Sequence, residues 1–474
     1  MSLGLPSITI AFKSTSATAI ERSQRGIIAM ILRETSLTTA GQTTNTITTN
    51  FVANDTLTFD GITFKATAAV QDATDFEVGA TIAATATNIA TALNANSTVN
   101  ATYTAAAANG VITITEKTAG GGNTPGSITV SGTGAITTSS TTTSCSLNTS
   151  ASPYTIYSST DIPSGLCAAN QEQIELALEG YQTSPNAILV YVQASTEVNY
   201  NDVLLQLEHD YWDYLVIPGI ATADVTTIAT WIKNMRNTYD KKVKAILPNC
   251  SGDNEGIINF TNTSIVTTAG TFTTAQYCSR IAGIIAGTPL TISCTFAPLS
   301  EVTSCDKYTT AQMSTKVGNG ELFIMYDGTK YKIARGVNSF VTWIQSKNQD
   351  FSKIKMVDIM DMIHDDIKNT ANDYYIGKYA NDYDNKCLLI SAINGYFDTL
   401  VTEGLLDPDG TNLCSIDTTA QKNYLLSNGD YTAAELAKMT NLEINKCNTR
   451  DQVFLTADVK ILDAIENITL NVYI

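Results

Sequence analysis

The sequence predicts a chain of mixed α/β and α+β class. Its core holds a mixed sheet covered by helices, a small Thr/Ser-rich α+β domain is inserted into that core, and extended β-strand arms form both termini. Three observations predict this. Apolar runs of buried-strand type alternate with amphipathic helical stripes after residue 150. The composition between 38 and 150 departs from the rest. Strict two-residue alternation marks both ends.

The core reads as strand, helix, strand, helix, strand. Ile188 to Val192, Tyr214 to Ile217 and Val243 to Leu247 are apolar runs. Asn201 to Tyr211 is helical in pattern. Thr222 to Tyr239 sets Val225, Ile228, Ile232 and Met235 on one stripe. Alternation of this kind implies a parallel or mixed sheet with helices on its faces. A helix at Gln171 to Tyr181 leads into it. Two further stripes follow, Val357 to Tyr374 and Leu388 to Leu400.

Residues 38–150 are rich in Thr, Ser, Ala, Asn and Gly, with Lys65 and Lys117 as the basic residues. Thr56 to Phe59 and Ile62 to Phe64 alternate about Asp60-Gly61, a hairpin signal. Ile82, Ile89 and Leu93 have helical spacing, and Val111 to Thr115 and Ile128 to Val130 read as strands. Ser36 to Asn50 and Ser139 to Ser152 read as linkers. The expected division is 1–16 as an N-terminal arm, 17–37 with 151–452 as a discontinuous core, 38–150 as the insert, and 453–474 as C-terminal strands and arm.

At the ends, Ile8, Ile10 and Phe12 alternate with small or polar residues. So do Val453 to Ile461, and so do Ile468, Leu470, Val472 and Ile474. A terminal strand is a free edge, which proteins normally blunt. These two must pair with each other or add to another subunit's sheet.

Charge narrows the partners. With 28 basic and 45 acidic residues the formal charge is −17, so a broad nucleic-acid face is not expected. An anionic membrane surface is disfavoured for the same reason. No window comes near the roughly 18 apolar residues of a membrane span, and the first residues lack the pattern of a signal peptide. The chain is therefore expected to be made and kept in the cytoplasm unless cells lyse. Only 15% of residues are charged, so Thr, Ser and Asn, or burial against other subunits, must cover the surface. The nine cysteines include no Cys-x-x-Cys pair. They read as reduced thiols packed like small apolar residues.

Catalytic patterns are absent from the sequence. It holds no phosphate-binding Gly-x-x-x-x-Gly-Lys-Ser/Thr, no His-Glu-x-x-His and no Gly-x-Ser-x-Gly. Gly120 to Gly126 is glycine-rich but lacks the lysine, and reads as a loop. His364 stands beside Asp365 and Asp366, and Asp358, Asp361 and Asp365 share one side of a helix. That grouping suits a general-base pair or a metal face, against the plainer reading of a solvated or inter-subunit acidic stripe, which is preferred. Asp407-x-Asp409 resembles the start of a calcium loop, but glycine and the final glutamate are misplaced. No catalytic residue, cofactor or metal site is expected.

Several stretches together resemble contractile tail sheath proteins, from phages and phage-derived bacteriocins of low-GC Gram-positive bacteria. They are Gly4 to Phe12, Ala19 to Ile27, Arg280 to Leu290, Ile333 to Ser339 after the Asp327-Gly328 hairpin, Lys355 to Asp366, and Val453 to Ala464. The resemblance covers 1–36 and 151–474; the insert departs from it. It implies a subunit that polymerises helically around a tail tube, with baseplate and tail terminator proteins as further partners. It also implies that Ile8, Ile10, Phe12, Ile468, Leu470, Val472 and Ile474 contact other copies of the chain. The virion tail, or a bacteriocin particle, is the implied location, with assembly in the host cytoplasm. A Thr/Ser-rich adhesin or binding protein is the alternative, and a cytosolic α/β enzyme a third reading that no catalytic set supports.

Overall fold

The computed structural model describes residues 18–23, 25–148 and 152–473. The expected contacts Ile8, Ile10, Phe12 and Ile474 lie outside the described residues. At the centre is a seven-stranded sheet of order Tyr154–Ile156, Ala187–Ala194, Ile27–Glu34, Tyr214–Val216, Lys244–Pro248, Ile257–Phe260 and Glu321–Leu322. The first pair is antiparallel and the others are parallel, so the sheet is mixed as expected.

The third strand of this order, Ile27–Glu34, is one that sequence reading did not anticipate. Its run Ile-Ile-Ala-Met-Ile-Leu is continuous because both faces of the sheet are covered. Ile28, Met30 and Leu32 enter one apolar cluster; Ile27, Ala29 and Ile31 enter the other. Helices Ala168–Leu178 and Thr274–Ala286 cover the first face, and Asn201–His209 and Thr222–Asn237 the second.

Between the strands Ile27–Glu34 and Tyr154–Ile156 the chain builds two four-stranded sheets around the helix Ile82–Ala95. They share a cluster of their own, with Phe51, Phe59, Phe64, Phe76, Ile89, Leu93, Ile112 and Ile114 buried in it. The hairpin is present: Thr56–Phe59 pairs with Ile62–Thr67, and Asp60 and Gly61 have φ of 50° and 73°. Positive φ at both central residues is what a tight hairpin turn requires.

The two expected linkers are largely strands instead. Gln42–Thr49 pairs with Ala135–Thr142, and Thr38–Thr39 with Cys145–Ser146. Thr43, Asn45 and Ile47 alternate inward, and β-branched Thr suits a half-buried pleated surface. Polar composition alone suggested a linker; the inward alternation makes it a sheet.

The two long C-terminal helices are Ile354–Thr370, which runs on into one π-helical turn at Ala371–Tyr375, and Tyr383–Thr402. They pack through Ile359, Met362, Ile393, Phe397 and Leu400. The alternation at 453–461 yields only a short strand, Leu455–Asp458, antiparallel to Leu413–Ile416, and a single bridge from Ile461 to Leu406.

Candidate assembly surface and the joint behind it

Downstream of that bridge, residues 462–473 join no strand among the described residues. Ile468, Leu470 and Val472 are 84%, 80% and 73% exposed. Single exposed apolar residues are ordinary, but an alternating row of them on one extended segment is a surface lacking its cover. Burying such side chains is worth about 1.5–3 kcal/mol each. Nothing among the described residues of the same chain supplies that burial.

Behind the arm the C-terminal helices meet the central sheet through charge. Asp361, on the Ile354–Thr370 helix, accepts from Arg236 Nη1 and Nη2 at 2.9 and 2.8 Å and from Lys244 Nζ at 2.6 Å. Lys244 also lies 3.1 Å from Asp358 Oδ1. All four side chains are buried. The acidic side of this helix is therefore neither solvated nor held for another subunit, as the sequence had suggested. Its carboxylates are consumed inside the chain, because the facing Lys244–Pro248 strand and Thr222–Asn237 helix bring cations to it.

Burial would push the Asp361 carboxyl up, but Arg236 and Lys244 together hold it well below the usual carboxylate range. Burial dominates at Asp358 and pushes it up, with Lys244 only partly offsetting this.

The segment before the Ile27–Glu34 strand is tied to the same helix. Asp366 is fully buried; it accepts from Ser23 N at 2.8 Å and from the Tyr396 hydroxyl at 2.6 Å, with Arg22 Nε at 3.4 Å. Arg25 bridges Asp213 at 2.5 Å and Asp365 at 3.2 Å. Gly26, at φ 80°, brings the backbone so close that a Cβ would lie 2.7 Å from the Ala286 carbonyl oxygen. Arg25, Asp213, Lys244 and Asp358 line a cavity of about 270 Å³ where the three segments meet. Sequence reading missed Arg22, Ser23, Arg25, Asp213, Arg236 and Lys244. The signal available was a lone basic residue inside an otherwise apolar strand, at Lys244.

The candidate chemistry is accounted for in the same way. His364 has Nε2 3.0 Å from Asp240 and Nδ1 2.8 Å from Asp365. Both ring nitrogens thus face carboxylates of the same chain. Asp407 pairs with Lys460 Nζ at 2.7 Å and accepts from Asp409 N at 3.0 Å, an arrangement of a turn. All nine cysteines are free thiols, six of them buried. Among the described residues no group of His, Cys, Asp or Glu could hold a metal ion, and no helix is long and apolar enough to cross a membrane.

Comparison with known proteins places these features. Residues 193–339 match the model of the phage tail sheath protein central domain, and residues 346–474 that of the phage tail sheath C-terminal domain. The chain is 38% identical over 316 residues to the tail sheath protein of Clostridium phage phiCD119, covering 66% of this chain and 87% of that one. It is 28% identical over 180 residues to the phage-like element PBSX protein XkdK of Bacillus subtilis, covering 37% and 38% of the two. In fold it is similar to the contracted helical sheath of the anti-feeding prophage, with a TM-score of 0.50 at 13% identity over 68% of this chain and 88% of that one. The two charged partners of the joint, the 193–339 and 346–474 segments, are thus the two units that the family models describe, and the chain belongs to the phage tail sheath protein family, as a structural protein.

Proposed function

We propose that the chain is the repeating subunit of a contractile sheath, polymerising helically around a tail tube and contracting to drive that tube through a target cell envelope. The observation that carries this reading is the exposed alternating row Ile468, Leu470 and Val472. An extended apolar segment with free backbone groups adds readily to another sheet edge. The occupant argued for is a second copy of this chain, because a sheath is built from copies of one subunit. The fold likeness to the anti-feeding prophage protein, seen in a helical sheath in its contracted state, supports that choice. Such a contact is heterologous and need not close, so it propagates as a helix.

In this reading Ile8, Ile10 and Phe12, with Ile468, Leu470, Val472 and Ile474, are the inter-subunit residues. Residues 1–16 and 453–474 hold the arms, 17–37 with 151–452 the core, and 38–150 a domain on the outer surface. The separate apolar cluster of the inserted sheets supports that last division. Tail tube, baseplate and tail terminator proteins are the other partners. The particle is a virion tail or a bacteriocin, assembled in the host cytoplasm. Contraction moves subunits nearly as rigid bodies, for which a buried ionic joint between the two matched units is suited.

Deleting 468–474 tests the proposal. The truncated protein is expected to stay folded and soluble, with its thermal midpoint unchanged, and to give no striated tubes in negative-stain microscopy. Normal tubes from the truncation would refute the role of the arm.

A further inference from the structure

The C-terminal segment lies along the body up to one residue and leaves it after. Leu462 N donates to the Leu405 carbonyl at 2.9 Å, Lys460 N to Asn412 Oδ1 at 2.9 Å, and Asp407 N to the Lys460 carbonyl at 2.8 Å. Past Glu466, no hydrogen bond ties 467–473 to the body among the described residues. The Glu466 side chain is only 7% exposed, whereas Ile465 before it is 88% exposed.

The Glu466 carboxylate is held by several donors at once. Oε2 accepts from Arg335 Nε at 2.9 Å and Nη2 at 2.7 Å, and lies 3.5 Å from Lys353 Nζ. Oε1 accepts from Thr295 Oγ1 at 2.6 Å and from Ser293 Oγ at 3.5 Å. The platform is itself fixed: Gly336 N donates to Thr295 Oγ1 at 2.9 Å. A Cβ on Gly336 would stand 2.8 Å from Cys294 Sγ, so a larger residue there would have to displace that side chain. Guanidinium and hydroxyl donors on one carboxylate make short, charge-assisted bonds.

The sequence pattern is a second, independent observation. Glu466 falls in phase with Ile468, Leu470 and Val472, the apolar positions of the arm. An acid in that phase breaks the alternation, and it does so at the point where the chain departs from Arg335 and Thr295. The contact also crosses between the matched units, since Arg335 and Thr295 belong to 193–339 and Glu466 to 346–474.

We infer that Glu466 is a positioning residue for assembly: its clasp on Arg335 and Thr295 sets the point and direction at which the 467–473 arm leaves the subunit, and so where a second copy is caught. This rests on the reading of the arm as the inter-subunit strand. An arm with a fixed root searches less space, and preorganisation of that kind lowers the cost of binding and raises the effective concentration of the arm. Losing the clasp lengthens the free tether back toward Leu462 without touching the residues that bind.

The test uses the full-length chain, with Glu466→Gln, Glu466→Ala, Arg335→Ala and the swap Glu466→Arg with Arg335→Glu, beside the 468–474 deletion. Amide exchange at Leu462, whose N–H donates to the Leu405 carbonyl, reports the root in the unassembled subunit, and sedimentation with negative-stain microscopy reports the polymer. The single variants are expected to exchange at least about tenfold faster at the root and to need a several-fold higher concentration to form tubes. The swap is expected to restore part of both, which a loss of bulk packing would not. Glu466→Gln keeps the shape, so it reads the clasp even where Glu466→Ala disturbs the fold. Single variants that assemble at the wild-type concentration would overturn the inference while the arm reading stands. A deletion that still forms normal tubes would overturn both.

Discussion

The joint and the arm invert each other. At the joint, Asp361, Asp358, Lys244 and Arg236 are charged and buried. Along the arm, Ile468, Leu470 and Val472 are apolar and exposed. Ordinary burial rules would exchange the two sets. The difference shows where each finds its partner. Charges go inside because their complements come from another part of the same chain, and breaking the set leaves an uncompensated buried ion. Apolar residues stay outside because their complement is absent from the described part of the subunit. One region answers to folding and the other, in the proposed function, to assembly.

The sharpest way to break this contrast is to exchange its chemistry. Leu470→Asp with Ile468→Asp is expected to abolish tube formation, removing about 1.5–3 kcal/mol of apolar burial per site and adding charge. The thermal midpoint of the unassembled subunit is expected not to move. A lowered midpoint would mean that the arm packs within the subunit, and the contrast would collapse.

The next effect is expected at the joint. Asp361→Ala strands Arg236 and Lys244 and should cost about 3–5 kcal/mol in urea denaturation of the subunit. Replacing Arg236, Lys244, Asp358 and Asp361 together by apolar residues of similar size should cost far less, since the desolvation penalty leaves with the charges. Equal losses would mean that packing, not ion pairing, holds the helix.

The two aspartates at the joint should differ in their pH dependence. The folded Asp361 carboxyl sits below its unfolded value of about 3.9. Its contribution is therefore present above that pH and lost as the pH falls toward the folded pKa. The folded Asp358 carboxyl sits above the same value, so its contribution is present at lower pH and lost as the pH rises through the folded pKa. At neutral pH, Asp361→Asn is expected to cost about 2 kcal/mol or more, and Asp358→Asn much less. Denaturation midpoints of both variants, followed from neutral pH to well below about pH 4, would check this. Matching profiles would show that the two carboxylates act as one group.

The smallest effect is expected at the rim. Lys368 reaches Asp240 at 2.9 Å in an exposed pair. Lys368→Ala should cost less than about 1 kcal/mol, screened further by salt. A loss as large as that of Asp361→Ala would erase the distinction between inner and outer charges.

Much of the fold was legible in the sequence where a pattern is local. The stripe through Val225, Ile228 and Ile232, the Asp60-Gly61 turn and the strand runs at 188 and 214 each carry their signal within a few residues. The Ile27–Glu34 strand is equally continuous and apolar, but its place in the sheet depends on neighbours far along the chain at 187–194 and 214–216. At 36–50 and 139–152 the polar composition suggests linkers, whereas the alternation within them forms strands. At the joint the acidic side of the helix could be read, but its partners could not. Lys244 and Arg236 stand more than a hundred residues before Asp361.

What the sequence determined by itself is the set of elements and the alternation of the arm, since periodicities of two and 3.6 are properties of neighbouring residues. What only the tertiary structure decided is the environment of each polar group: that Asp361 is enclosed by cations, and that Glu466 is clasped by Arg335 and Thr295 while the residues after it are exposed. Charge is placed by what folds against it, and that depends on contacts between segments far apart in the chain.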